Sequence, residues 1–158
     1  MKPATVQEIK KELNTLNTEA LVELCLRLAR FKKENKELLT YLLFNAGNEQ
    51  AFVAAIKKEI DSQFGEMNQS HVYYAKKSLR KILRLINKYC RYSSLTETEV
   101  DIRIHFCAIL KDSQIPVRRD KVISKLYQAQ LNKIKILIGS MHEDLQYDYE
   151  RLVKELEW

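Results

Sequence analysis

The sequence predicts an almost wholly α-helical domain, and three observations carry that prediction. Apolar residues recur at three- and four-residue spacing along the whole chain. Residues that cap helices stand ahead of most of these stripes. Turn formers are few, with three glycines and two prolines in 158 residues. A chain of this size buries roughly 70% of its unfolded surface and needs no metal or disulfide as a staple.

Thr5-Val6-Gln7-Glu8 is a capping box and opens a first helix from Val6 to Leu13. Thr18 then caps a second helix whose stripe is Leu21, Leu24, Cys25, Leu28 and Phe31. Lys32 to Lys36 reads as a charged connector, and a third helix covers Glu37 to Asn45. Asn48 caps a fourth, with Phe52, Val53, Ile56, Ile60 and Phe64 along one side and Gly65 at its end. Residues 65–70 form the most polar linker and the candidate sub-boundary of an otherwise single domain, 1–158. Ser70 caps the longest helix, His71 to Tyr92.

Thr96-Glu97-Thr98-Glu99 opens a sixth helix that runs to Lys111. Val100, Ile102, Ile104 and Phe106 alternate with polar residues there, which is strand spacing, but the cap and the continuation through Leu110 favour helix. Pro116 at the first helical position starts a seventh, ending at Gly139. Ser140-Met141-His142-Glu143 opens the eighth, with Leu145, Tyr149, Leu152, Val153 and Leu156 as its stripe. Eight helices with short connections suit an irregular bundle or a short stack of antiparallel helical hairpins. Leu28, Ile56, Leu83, Ile86 and Leu152 are the expected core markers.

The N-terminal pattern is Ile9-x-x-x-Leu13-x-x-Leu16-x-Thr18-x-x-Leu21-x-x-Leu24, followed by Leu28 and Lys36-x-x-Leu39-x-x-Leu42. It resembles the opening of an uncharacterised bacterial family of all-helical domains, of Bacteroidetes type. Tyr74-Ala75-Lys76-Lys77-x-Leu79 and the stretch from Val100 to Leu110 look like later helices of that family. The resemblance implies an all-α fold and no catalytic residue.

The fifth helix is the unusual element. No acidic residue lies between Glu66 and Glu97. At 100° per residue, Ala75, Leu79, Ile82, Leu83, Ile86 and Cys90 share about 100° of arc. Lys76, Lys77, Arg80, Lys81, Arg84, Lys88 and Arg91 fall opposite, with Tyr73 among them and Tyr74 and Tyr92 at the edge. Like charges at i,i+4 repel by a few tenths of a kcal/mol per pair. Compensation would come from nucleic-acid phosphate with the tyrosines stacking on bases, from an acidic protein or anionic membrane surface, or from the chain's own last helix. That helix carries Glu143, Asp144, Asp148, Glu150, Glu155 and Glu157. A solvated face partly balanced by it is the plain alternative. Arg118, Arg119, Lys121 and Lys125 open the seventh helix and could extend a basic surface.

Nothing matches catalytic chemistry. There is no G-x-S-x-G and no Walker loop. His71, His105 and His142 lack metal-ligand spacing, so no cofactor and no metal is expected. Cys25, Cys90 and Cys107 are odd in number and widely spaced, and all three are expected to be buried reduced thiols. Met1 to Lys11 shows no signal-peptide pattern and no apolar run approaches a membrane span, so a cytoplasmic location is expected. The net charge of +6 permits nucleic acid without requiring it. The function expected on these grounds is a non-enzymatic protein-interaction module. The alternative is a nucleic-acid-binding accessory protein that uses the basic helix 71–92.

Overall fold

The computed structural model describes residues 1–158 and is helical, without strands. It divides into two compact units, Met1–Phe44 and Asn45–Trp158. The division lies at the end of the third helix. The polar linker 65–70 lies inside the second unit, where Met67 is buried and the Gln69 side-chain oxygen accepts from the Gln114 N–H at 3.2 Å. Polarity of sequence marked that loop, but packing decides where units part.

The first unit holds α1 (Val6–Leu13), α2 (Thr18–Phe31) and α3 (Lys33–Thr40), with a π-helical turn at Tyr41–Asn45 continuing α3. The Thr5 capping box forms, with Glu8 accepting from the Thr5 N–H at 2.7 Å. Asn17 rather than Thr18 caps α2, its Oδ1 accepting from the Ala20 N–H at 2.8 Å. The expected connector Lys32–Lys36 is mostly helix, because Lys32 alone leaves helical backbone. α2 and α3 pack on each other, and Asn35 Nδ2 donates to the Leu28 carbonyl at 2.9 Å. None of the three helices contributes a buried side chain.

The second unit is a bundle of α4 (Glu49–Gly65), α5 (Val72–Ser93), α6 (Thr96–Asp112), α7 (Lys121–Ile138) and α8 (Glu143–Leu156). Here the bundle, not the hairpin stack, is the architecture, because α6 packs against all four other helices. A helix surrounded in this way is apolar on several faces at once. That accounts for the strand-like alternation at Val100–Phe106: Val100, Ile102 and Phe106 are fully buried in helical backbone.

One buried charge crosses this core. Arg103 of α6 is 1% exposed. Its Nε donates to Glu99 Oε1 at 2.8 Å, and its terminal nitrogens reach Glu99, Gln130 of α7 and Asn87 of α5. Lys133 Nζ also reaches Glu99 Oε1, at 2.7 Å. No buried side-chain nitrogen or oxygen lacks a partner. Elsewhere, the Tyr127 hydroxyl donates to the Leu156 carbonyl at 2.8 Å and so ties α7 to the end of α8. Glu49 accepts from both Ser93 and Thr98, closing the α5–α6 corner where Ser94 adopts φ 57°.

Several local expectations are corrected. Pro116 does not begin α7; residues 116–119 form a turn and Asp120 caps the helix, accepting from the N–H groups of Val122 and Ile123. Ser70 does not cap α5, since its hydroxyl donates to Asn68 instead, and His142 replaces Ser140 as the cap of α8. Of the five core markers, Ile56 and Ile86 are buried and Leu83 packs partly against the core. Leu28 is 53% exposed and Leu152 38%. Leu28 lies in a unit with hardly any interior, and in α8 the neighbouring Val153 takes the inward position.

Burial raises the Glu99 carboxyl, but the hydrogen bonds and charges of Lys133 and Arg103 outweigh it and hold its pKa below the ordinary carboxylate value. A depressed native pKa means that the group stabilises the fold above its unfolded value of about 4.3, and that this contribution is lost as pH falls through the native value. Thermal denaturation from neutral to acid pH checks this. Glu99→Gln should melt below wild type at pH 7, and the gap should close below about pH 4. A gap that is constant with pH would show that Glu99 is not held ionised by the network.

Candidate functional site

The basic face of α5 is built from a single helical period. Ala75, Leu79, Ile82, Ile86 and Cys90 are buried, so the opposite arc points outward by construction. Lys77, Arg80, Lys81, Arg84 and Arg91 are exposed there and make no ion pair. Between Lys77 and Arg91 this face extends about 21 Å at 1.5 Å per residue. Tyr73 and Tyr74 are exposed at its N-terminal end, their rings edge to face at 5.4 Å.

Three positions on or beside the basic arc are not free surface groups. Lys76 is half-buried, and its Nζ meets Asp120 Oδ2 at 2.7 Å. Hydrogen bonds from Lys76 and from the N–H groups of Ile123 and Val122 hold the Asp120 carboxyl below the usual range. Lys88 is half-buried over the Tyr89 ring, 4.7 Å from its centroid. Tyr92, expected at the edge of the basic arc, is buried.

The acidic last helix does not supply the compensation. α5 packs against α4 and α6, whereas α8 packs against α6 and α7. Among the α8 residues and those flanking it, Glu157 pairs with Lys135 of α7 and Asp144 with His142. The Lys76–Asp120 contact instead brings the turn before α7, with exposed Arg118 and Arg119, beside the N-terminal half of α5. Arg118 and Arg119 also line a shallow groove of about 340 Å³ with Lys111 and Trp158. The Trp158 ring lies 4.7 Å from that of Tyr127, centroid to centroid. The basic surface is therefore wider than the fifth helix alone and is open. Arg118 and Arg119 were visible in sequence, but their joining to α5 depends on a long-range ion pair that no spacing announces.

A different surface went unread. Val22, Leu24, Leu26, Leu28 and Phe31 of α2 are exposed, as are Leu42, Leu43 and Phe44. A groove of about 250 Å³ runs between α2 and α3, lined by Cys25, Leu28, Ala29, Leu38, Leu39 and Leu42, with Asn35. These side chains and this groove make up much of the exposed apolar surface of the first unit. The α2 stripe is legible in the sequence, and Leu28 within it is expected in a core.

No three His, Cys, Asp or Glu side chains are placed together to hold a metal ion. His105 Nε2 contacts Asp61 Oδ1 at 2.6 Å across α6 and α4. No helix is long and apolar enough to cross a membrane. Comparisons with protein-family models, curated proteins and solved structures find no match.

The cysteines divide in a way the sequence did not predict. Cys90 and Cys107 are buried, and burial pushes their thiols up to about 11 and about 12. Cys25 is exposed, on the groove between α2 and α3. A thiol reagent at neutral pH should label Cys25 alone in the native protein and all three after denaturation. Rapid native labelling of two or more would contradict the packing of α5 and α6.

Proposed function

We propose that this chain is a non-enzymatic helical interaction protein of the cytoplasm, and that Met1–Phe44 is its protein-docking part. The observation that carries the reading is the lack of buried side chains in its three helices. α1 and α3 have eight residues each and α2 fourteen, and none buries a side chain. Isolated helices shorter than about 12–15 residues are marginal in water, and tertiary burial supplies most helical stability in proteins. Segments of about 40 residues ordinarily need a metal, disulfides or association. This unit has its apolar residues in place and leaves most of the large ones exposed, so a protein surface is the partner its chemistry fits. The reduced thiols, among them an exposed one, suit a cytoplasmic setting.

Two substitutions test the reading. At concentrations where the chain is monomeric, Val22→Ser with Leu26→Ser should change unfolding stability by less than about 0.5 kcal/mol, as exposed positions do. Leu79→Ala in the core should cost about 2–5 kcal/mol. A loss of the second size from the α2 substitutions would make that face ordinary core and remove the docking reading.

A second reading rests on its own observation, the open cationic face. Lys77, Arg80, Lys81, Arg84 and Arg91 with Arg118 and Arg119 could neutralise nucleic-acid phosphates, Tyr73 and Tyr74 stacking on bases. With about four phosphates contacted on a duplex, log K against log salt should slope near −3.6. Arg80→Gln with Arg84→Gln should flatten that slope and leave the fold intact, since neither side chain is buried. Absence of binding to duplex and single-stranded DNA and RNA at low salt and tens of micromolar protein, about where non-specific binders register, sinks this reading alone.

A further inference from the structure

α2 is apolar over more of its circumference than α3 covers. With Thr18 at zero and 100° per residue, Phe31, Leu24, Leu28, Leu21, Cys25, Ala29, Val22 and Leu26 occupy about 220°. The groove shared with α3 takes up the middle of that arc, around Cys25, Leu28 and Ala29. Val22, 51% exposed, and Leu26, 38% exposed, form one uncovered edge.

Charges border this edge, and their order is directional. Glu19 and Glu23 lie in the N-terminal half of the helix, Arg27 and Arg30 in the C-terminal half. All four fall in the remaining polar arc, are exposed, and make no ion pair. Glu19 and Arg30 are centred between residues 24 and 25; Glu23 and Arg27 are centred on residue 25. Each acid thus mirrors a base about nearly one point. Two copies of α2 laid antiparallel across a two-fold axis at that point set Glu19 against Arg30 and Glu23 against Arg27, twice over. The same axis sets Val22 against Leu26. A parallel pairing would set acid beside acid and base beside base, which is unfavourable.

We propose that the partner of the N-terminal unit is a second copy of this chain, joined through an antiparallel, two-fold α2–α2 contact. The proposal rests on the docking reading above and names its partner. Two-fold interfaces are self-complementary: the residue that presents a group also faces its complement. α2 meets that requirement in both its apolar and its charged positions. A standard interface takes about 800 Å² from each partner, more than the edge of a helix about 21 Å long supplies. Val6 and Ile9 of α1, Leu16, and Leu42–Phe44 are further exposed apolar residues of the unit on which such a contact can draw.

The test uses the full chain and charge exchange. Light scattering on a sizing column, over roughly 1–100 μM, the span of weak to moderate homodimers, should give a mass approaching twice 18.7 kDa. Glu19→Arg with Glu23→Arg makes the α2 border wholly positive; Arg27→Glu with Arg30→Glu makes it wholly negative. Each variant alone should dimerise on the order of 100-fold more weakly than wild type or worse, since four attractive pairs become repulsive. Mixed in equal amounts, the two should form a heterodimer, which also shows that both still fold. Self-association of either variant at wild-type strength, or no assembly on mixing, overturns the antiparallel contact. A wild type that stays monomeric throughout overturns self-association. If Val22→Ser with Leu26→Ser is also without effect on stability, the docking face survives and belongs to a different protein. If that pair destabilises as core substitutions do, both readings fall together.

Discussion

The second unit depends on how α6 carries a guanidinium through the middle of a core. An unpaired charge in that position would cost several kcal/mol. Arg103 is tolerated because Glu99, one turn earlier on the same helix, neutralises it, while Gln130 and Asn87 accept from its two terminal nitrogens. These acceptors come from α7 and α5, so satisfying one side chain fixes the rotation of three helices at once. Tyr127, one turn before Leu131 on α7, then secures α8 through the Leu156 carbonyl. Apolar packing supplies the driving force of the bundle, and this polar set restricts the bundle to one arrangement of it.

The same centrality explains what could be read from the sequence. α5 has one buried face and one wet face, so its residues separate by helical period: Ala75, Leu79, Ile82, Ile86 and Cys90 face in, and Lys77, Arg80, Lys81, Arg84 and Arg91 face out. α6 is packed from several directions, and a helix of that kind loses its simple period; Val100, Ile102 and Phe106 then imitate a strand. Capping chemistry carried the correct element type there, although Leu95 rather than Thr96 occupies the cap. Helix starts were the weaker part. Pro116 has the right backbone for a first helical position, but Asp120 offers a side-chain oxygen to two backbone donors, and that stronger cap sets the start of α7. Arg103 itself was passed over, although an i,i+4 Glu–Arg pair inside an apolar helix is its visible signature.

The first unit exposes a different limit. An amphipathic period states that a face is to be buried and is silent about whose surface will bury it. Leu28 and Cys25 are therefore expected inside this chain, and the structure leaves them exposed. Their helical spacing and their exposure agree once the covering surface is allowed to be another polypeptide. The order of charge along α2 adds information that hydrophobicity lacks, because it distinguishes one pairing direction from the other.

A link between the two surfaces follows from stoichiometry. A chain that dimerises through α2 carries its α5 face in duplicate. Once one face is bound to an extended polyanion, the second binds at an effective concentration set by the connection between them. Where both faces can reach one strand, avidity exceeds the single-face affinity by about 10² to 10⁴ with no new contact. The single face is modest, with Lys76 already neutralised by Asp120, so duplication would matter most for a weak site of this kind. The charge-exchanged α2 variants separate the contributions: they leave every α5 cation in place and shift the net charge in opposite directions, so a loss of polyanion affinity shared by both comes from assembly and not from the basic face. Remixing the two variants should restore that affinity together with the dimer.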